Sequence, residues 1–202
     1  MKTQIFEEKR TIPVYDTCDI LVVGGGAAGH SAAIAAARAG AKRIILMERY
    51  GYMGGDATGG YVIMVPNLSW YHKSFVRGLQ EEWFTRLKKI PGAILGPELD
   101  KIGNTEGIYV HRWQAIHDCV SRGGFDGCKD SCLVRSVYFE PNQLKIEMDK
   151  MLLEHKDRIQ VLCHTWGVKP VMEGKAVKGV IFESKEGRQA ILADTVIDAT
   201  GD

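Results

Sequence analysis

The chain has 202 residues with 26 basic and 25 acidic side chains, a formal charge of +1, and 45% apolar and 25% charged residues. That is an ordinary globular composition, long enough for a sizeable core in one domain or one plus a small appendage, and it excludes the basic surplus of a nucleic-acid binder. The most apolar stretch, residues 20–41, contains five glycines, a histidine and an arginine, so it carries turns rather than a membrane span.

The N-terminus has no apolar signal core, and the five cysteines (Cys18, Cys119, Cys128, Cys132, Cys163) are odd in number. Both point to reduced thiols and a cytoplasmic location. Cys119, Cys128 and Cys132 lie close together. A metal or iron–sulfur site there would need a tighter Cys-x-x-Cys pattern and a fourth ligand, so no metal is expected.

The first predicted element is a short buried strand, Asp19–Val23, of the kind found in parallel sheets. Gly24-Gly-Gly-Ala-Ala-Gly29 follows at once. An alanine-rich helix is predicted over His30–Ala39, with Gly40 at its C-terminal cap, and a second strand over Lys42–Met47 that ends at Glu48. Strand, glycine turn, helix, strand and acid form the context in which G-x-G-x-x-G carries chemistry. Gly24 allows a tight turn, Gly26 lets a pyrophosphate approach the backbone, and Gly29 lets the helix pack on the sheet. The helix N-terminus offers N–H groups and a favourable dipole to phosphate, and Glu48 can accept hydrogen bonds from ribose hydroxyls. NAD proteins, FAD proteins and some methyltransferases share this much. The acid at 48 disfavours NADP, whose 2′-phosphate it would repel.

A second glycine-dense stretch, Arg49-Tyr-Gly-Tyr-Met-Gly-Gly-Asp-Ala-Thr-Gly-Gly60, stands where an NAD-binding domain would begin its next helix. Residues 61–135 read as an excursion, with a helix over Ser74–Lys89, breaks at Pro91 and Gly96, and the Cys–Gly loop. Leu144–Leu153 is a predicted helix and Ile159–Cys163 a third strand. Val168–Met172, Val177–Ser184 and Ala190–Ala193 form an expected three-strand meander, and Thr195–Ala199 re-enters the main sheet beside the first strand. The expected domains are thus 1–60 with 136–202, interrupted by 61–135. His111, Arg112 and His117 fall in the excursion. Arg112 could clamp a substrate carboxylate and His111 could move a proton, although both also read as ordinary loop residues. Trp70, Tyr71, Trp83 and Trp113 read as core or interface aromatics, and His30 as a residue of the helix N-terminus.

Taken together, VVGGGAAG, the Met47–Gly60 run and the terminal IDATGD resemble the FAD-dependent oxidoreductases built on the glutathione-reductase-type fold. The fumarate reductase and succinate dehydrogenase flavoproteins are more distant relatives of that type. The resemblance implies an α/β Rossmann-like fold with a parallel central sheet, a small antiparallel crossover meander and a helical excursion. It implies FAD as cofactor and transfer of a hydride or electron pair between flavin and a small organic substrate. Gly24, Gly26 and Gly29 would cradle the pyrophosphate, with Glu48 on the adenosine ribose and Arg49 beside it. Gly55, Thr58, Gly59 and Gly60 would line the ribityl and flavin end, and Val168 would offer backbone groups to adenine. Gly201 and Asp202 would close over the pyrophosphate and ribityl hydroxyls.

Relatives of this type continue past the ATGD motif. The expectation is a piece of a longer enzyme, incomplete at its C-terminus. A split enzyme completed by a second chain and a minimal flavin-binding module are the alternatives, so a non-catalytic dinucleotide-binding module or subunit is the rival reading. The 202 residues are expected to hold the adenosine and pyrophosphate half of the cofactor and to leave the isoalloxazine poorly enclosed.

Overall fold

A computed structural model describes residues 4, 8–65, 68–70, 73–96, 100 and 136–201. The chain divides into two compact units, Met1–Met53 with Leu152–Asp202, and Gly54–Met151.

The first unit is built on β1 (Val14–Val23), α1 (Ala27–Arg38) and β2 (Ile44–Met47). β1 begins five residues before the predicted start. Its first half is polar and half-exposed, and it is held by pairing rather than burial: Val14 lies opposite Ala190, and Cys18 opposite Ala193. The Arg43 side chain donates to Asp16 on the same stretch.

α1 begins three residues earlier than predicted, inside the glycine motif, with Gly26 as its N-cap. Its C-terminus closes on Gly40 by two backbone bonds, Gly40 N–H to Ala37 O and Ala41 N–H to Ala36 O. That pairing is the Schellman arrangement, which satisfies carbonyls the helix leaves open. Arg158 adds a third donor, from Nη1 to Ala37 O at 2.9 Å, where a cation also suits the helix dipole.

β8 (Ile159–Leu162), β9 (Trp166–Glu173), β10 (Ala176–Ser184) and β11 (Gly187–Asp198) complete a six-stranded sheet. Its order is β8-β2-β1-β11-β10-β9. The strands β8, β2, β1 and β11 are parallel, and β9–β10–β11 is the antiparallel meander. The two short strands predicted around Asp194 are one continuous strand of 12 residues. Asp194 points its side chain to solvent, so its charge costs the strand nothing, while β1 pairs along both halves. The meander is therefore hydrogen-bonded into the main sheet rather than set apart from it.

Alternation along β1 and β2 sends Leu21, Val23, Ile45 and Met47 to one face, where they pack with Val180, Phe182 and Ile191 of the meander. Val22, Ile44 and Leu46 face the other way, where α1 buries Ala33, Ile34 and Ala37. Each large side chain buried in this way contributes about 1.5–3 kcal/mol of transfer free energy. Cys18 belongs to the same core, and burial pushes its thiol up to about 11, so it stays protonated and inert.

The second unit holds β3 (Met64–Val65), β4 (Ser69–Trp70), β5 (Lys73–Ser74), α2 (Leu79–Leu87), β6 (Ile94–Leu95) and β7 (Val137–Phe139). β3, β7 and β6 form a small antiparallel sheet, and β4 pairs with β5. α2 starts later than predicted, at Leu79, and buries Trp83, Phe84 and Leu87 on one face.

α3 (Pro141–Leu153) begins three residues before the predicted start. Pro141 suits a first helical position, and the Glu140 carboxylate caps the end by accepting the Gln143 N–H at 2.6 Å. Among the described residues, no helix is long and apolar enough to cross a membrane.

Candidate functional site

The turn between β1 and α1 puts its glycines to different uses. Gly24 has φ +102°, the left-handed region, and a side chain on it would collide with the Ala199 carbonyl. A Cβ on Gly29 would overlap the Gly24 carbonyl oxygen, so the helix lies directly on the turn. Gly25, a variable position of the motif, is confined less tightly and by side chains: a Cβ there would come within 2.6 Å of Met53 Sδ and 3.0 Å of Glu48 Cβ.

Gly26 differs from all three. Its φ of −61° and ψ of −175° suit any residue, and a Cβ added to it meets nothing within 4 Å. The space in front of it is open, and no packing within the described chain requires glycine there.

That space lies at the N-terminus of α1. No side chain caps this end, its first turn holds no acid, and Ala27 and Ala28 are exposed. The N–H groups of the first turn and the positive end of the helix dipole therefore face outward, an arrangement suited to an anion.

Glu48 stands beside the turn at the end of β2, only 6% exposed. Its Oε2 accepts the Gly25 N–H at 2.6 Å and its Oε1 accepts the Tyr50 N–H at 2.8 Å. A carboxylate has about four acceptor sites, so these two bonds do not exhaust its capacity to accept hydrogen bonds. The Glu48 backbone is held in turn by Thr165, whose N–H donates to Glu48 O at 3.0 Å, and His164 N–H donates to Tyr50 O at 3.2 Å.

These bonds bring the 164–168 segment alongside. Arg49 is exposed and lies over the Trp166 ring. The register between β9 and β10 passes from Gly167 to Lys169 over one residue of β10, so Val168 is the extra residue of a bulge on the outer strand.

On the far side of the turn, Ala199 N–H donates to Val23 O at 2.8 Å, and Gly201 adopts φ +75°. The Asp198 carboxylate accepts the Thr200 hydroxyl at 2.8 Å and the Thr200 N–H at 3.1 Å. Those two donors, the hydroxyl foremost, hold its carboxyl below the usual carboxylate range.

Thus Gly24, Gly26, Gly29, Glu48, Arg49, Val168 and Gly201 all lie in the first unit. Gly55, Thr58, Gly59 and Gly60 belong to the second unit. There a 3-10 turn over Gly55–Ala57 buries Thr58, whose hydroxyl donates to Gly55 O at 3.2 Å. His111, Arg112, His117, Trp113, Tyr71, Asp202 and the cysteines at 119, 128 and 132 lie outside the described residues.

A glycine turn feeding an open helix N-terminus, with a buried carboxylate at the end of the neighbouring parallel strand, defines a dinucleotide-binding α/β fold. The chain belongs to the FAD dependent oxidoreductase family, whose model matches residues 19–202, and FAD is its cofactor. It is 54% identical over 200 residues to the fumarate reductase (cytochrome) of Shewanella frigidimarina, an alignment covering 93% of this chain and 34% of that protein. It is 46% identical over 56 residues to the urocanate reductase of Eggerthella lenta, covering 27% of this chain and 9% of that protein. The chain therefore spans about a third or less of the length of these curated relatives. In fold it resembles the 3-ketosteroid-delta4-(5alpha)-dehydrogenase of Rhodococcus jostii RHA1, with a TM-score of 0.53 at 17% identity, covering 95% of this chain and 49% of that one.

Proposed function

We propose that this chain is the FAD-binding portion of an oxidoreductase that passes a hydride or an electron pair between flavin and a small organic substrate. The observation that carries the proposal is the open cradle at Gly26. The fold does not need a glycine there, whereas a pyrophosphate lying against the first turn of α1 does. The N–H groups of that turn hold the phosphate oxygens, and the remaining acceptor capacity of Glu48 takes ribose hydroxyls. Arg49 lies beside the ribose, and the bulged backbone of Val168 serves the adenine. Gly55, Thr58, Gly59 and Gly60 line the ribityl and flavin end, and Gly201 with Asp202 closes over the pyrophosphate and ribityl hydroxyls, the Asp202 carboxylate on the ribityl side. In this reading the cofactor domain is 1–60 with 136–202, and 61–135 is an excursion carrying His111 and Arg112 as candidates for proton transfer and carboxylate binding.

Bound flavin supplies the redox chemistry, while the protein supplies orientation and a proton path. The two relatives are named for fumarate and urocanate, both unsaturated carboxylates, which makes that class the first to try as substrate.

The test is an absorbance spectrum of the protein after FAD is added and the excess is removed by gel filtration. Flavin bands that co-elute with wild type and disappear in Gly26→Val support the reading. A folded wild-type protein that stays colourless, or a Gly26→Val variant that keeps its flavin, overturns it.

A further inference from the structure

Trp166 opens β9 with 60% of its surface exposed, an unusual position for the largest apolar side chain. It does not stand alone. The Arg49 guanidinium lies 5.6 Å from its ring centre and 4.8 Å from that of Tyr50. Tyr50 in turn stacks on Tyr52, with centroids 5.4 Å apart and planes 2° from parallel. Four flat groups are thus linked in series: an indole, a guanidinium set between two rings, and a second phenol ring stacked on the first.

The group is anchored at Glu48 from both sides. Arg49 and Tyr50 follow it directly, and the Tyr50 N–H is bound by its carboxylate. Trp166 follows Thr165, whose N–H donates to the Glu48 carbonyl. Exposed aromatic faces and a cation therefore stand next to the buried Glu48 carboxylate, and the bulge at Val168 is two residues further on.

We propose that Trp166 and Arg49 form a stacking platform for the adenine ring of FAD, and that this platform makes the chain select FAD over flavins that lack adenine. The proposal rests on the FAD reading of the site. A purine is flat, polarisable and large enough to cover the indole, and the guanidinium adds attraction for both its π face and the neighbouring diphosphate. Trp166 thereby acts as a specificity-determining residue without touching the reacting atoms.

Calorimetric titrations with FAD, ADP and FMN test this in wild type, Trp166→Ala and Trp166→Phe, with tryptophan fluorescence followed during the ADP titration. ADP carries the adenine, ribose and diphosphate but no flavin. Loss of the stacking face should weaken FAD and ADP by roughly tenfold or more in Trp166→Ala. The Phe variant keeps a ring and should stay within about threefold of wild type, which separates lost stacking from damaged folding. FMN binding should be unchanged in all three proteins, and ADP should quench wild-type fluorescence more than that of Trp166→Phe. If Trp166→Ala binds FAD and ADP as wild type does, the platform is overturned and the FAD reading stands. If wild type binds neither, both are overturned.

Discussion

The two glycine-dense stretches look alike in composition and differ in what they ask of their glycines. Around Gly54–Gly60 the demand is internal. A Cβ on Gly54 would strike the Thr58 side chain, and one on Gly60 would come within 2.8 Å of Asp56 Cα. In the turn at Gly24–Gly29 three glycines are likewise confined by the protein itself, while Gly26 faces open space. A glycine required by packing and a glycine required by a ligand are indistinguishable as letters, and they separate only when the space around each is known.

Substitutions can break this comparison, beginning with the most severe. Gly29→Val forces the helix off the Gly24 carbonyl, and a cost of about 4 kcal/mol or more should leave the chain unfolded or insoluble, as circular dichroism would show. Gly26→Val should invert that pattern: flavin binding is lost, yet melting shifts by no more than the ~1 kcal/mol that separates glycine from an apolar N-cap. Gly60→Ala lies between them, costing about 1–3 kcal/mol as its neighbours shift, measured by thermal melting.

The smallest effect belongs to Asp198→Ala. The folded state holds this carboxyl below its usual range, so its contribution is present above that range and is lost as pH falls through the lowered value. The group is exposed, so the difference from wild type should be well under 1 kcal/mol near neutral pH. Melting curves of the two proteins should converge in acid.

Much of the first unit was legible because local patterns there agree with the tertiary fold. Apolar runs of β-branched residues, an alanine-rich helix and a Gly40 stop each point to the same βαβ arrangement. The errors arose where long-range pairing overrides local polarity. Asp16 and Thr17 hide the first half of β1, and Asp194 splits β11 in two, because the pairing of these two strands with each other runs on through exposed polar residues. The Gly-Ala-Ala segment reads locally as loop, yet α1 begins within it because Gly26 serves as the N-cap. Gly25 escaped notice because the motif treats its position as variable, although the buried Glu48 side chain packs against it. Trp166 carries no signal of its own in the sequence, because an isolated aromatic has no periodicity and its partner Arg49 is distant in the chain. Substrate-facing residues had no motif to announce them.

The pairing of β1 with β11 also sets the order in which the molecule can be built. β1 meets β2 soon after both are made, since Ile20 lies opposite Ile44, but its other edge stays open until Ala190–Asp198 has been synthesised. Such distant pairing is slow, and an apolar strand edge left waiting is a template for other chains. The Gly24 turn also rests on Ala199, through the Val23 carbonyl and the close packing beneath it. A nascent chain therefore carries the complete glycine motif long before the turn has Ala199 to rest on.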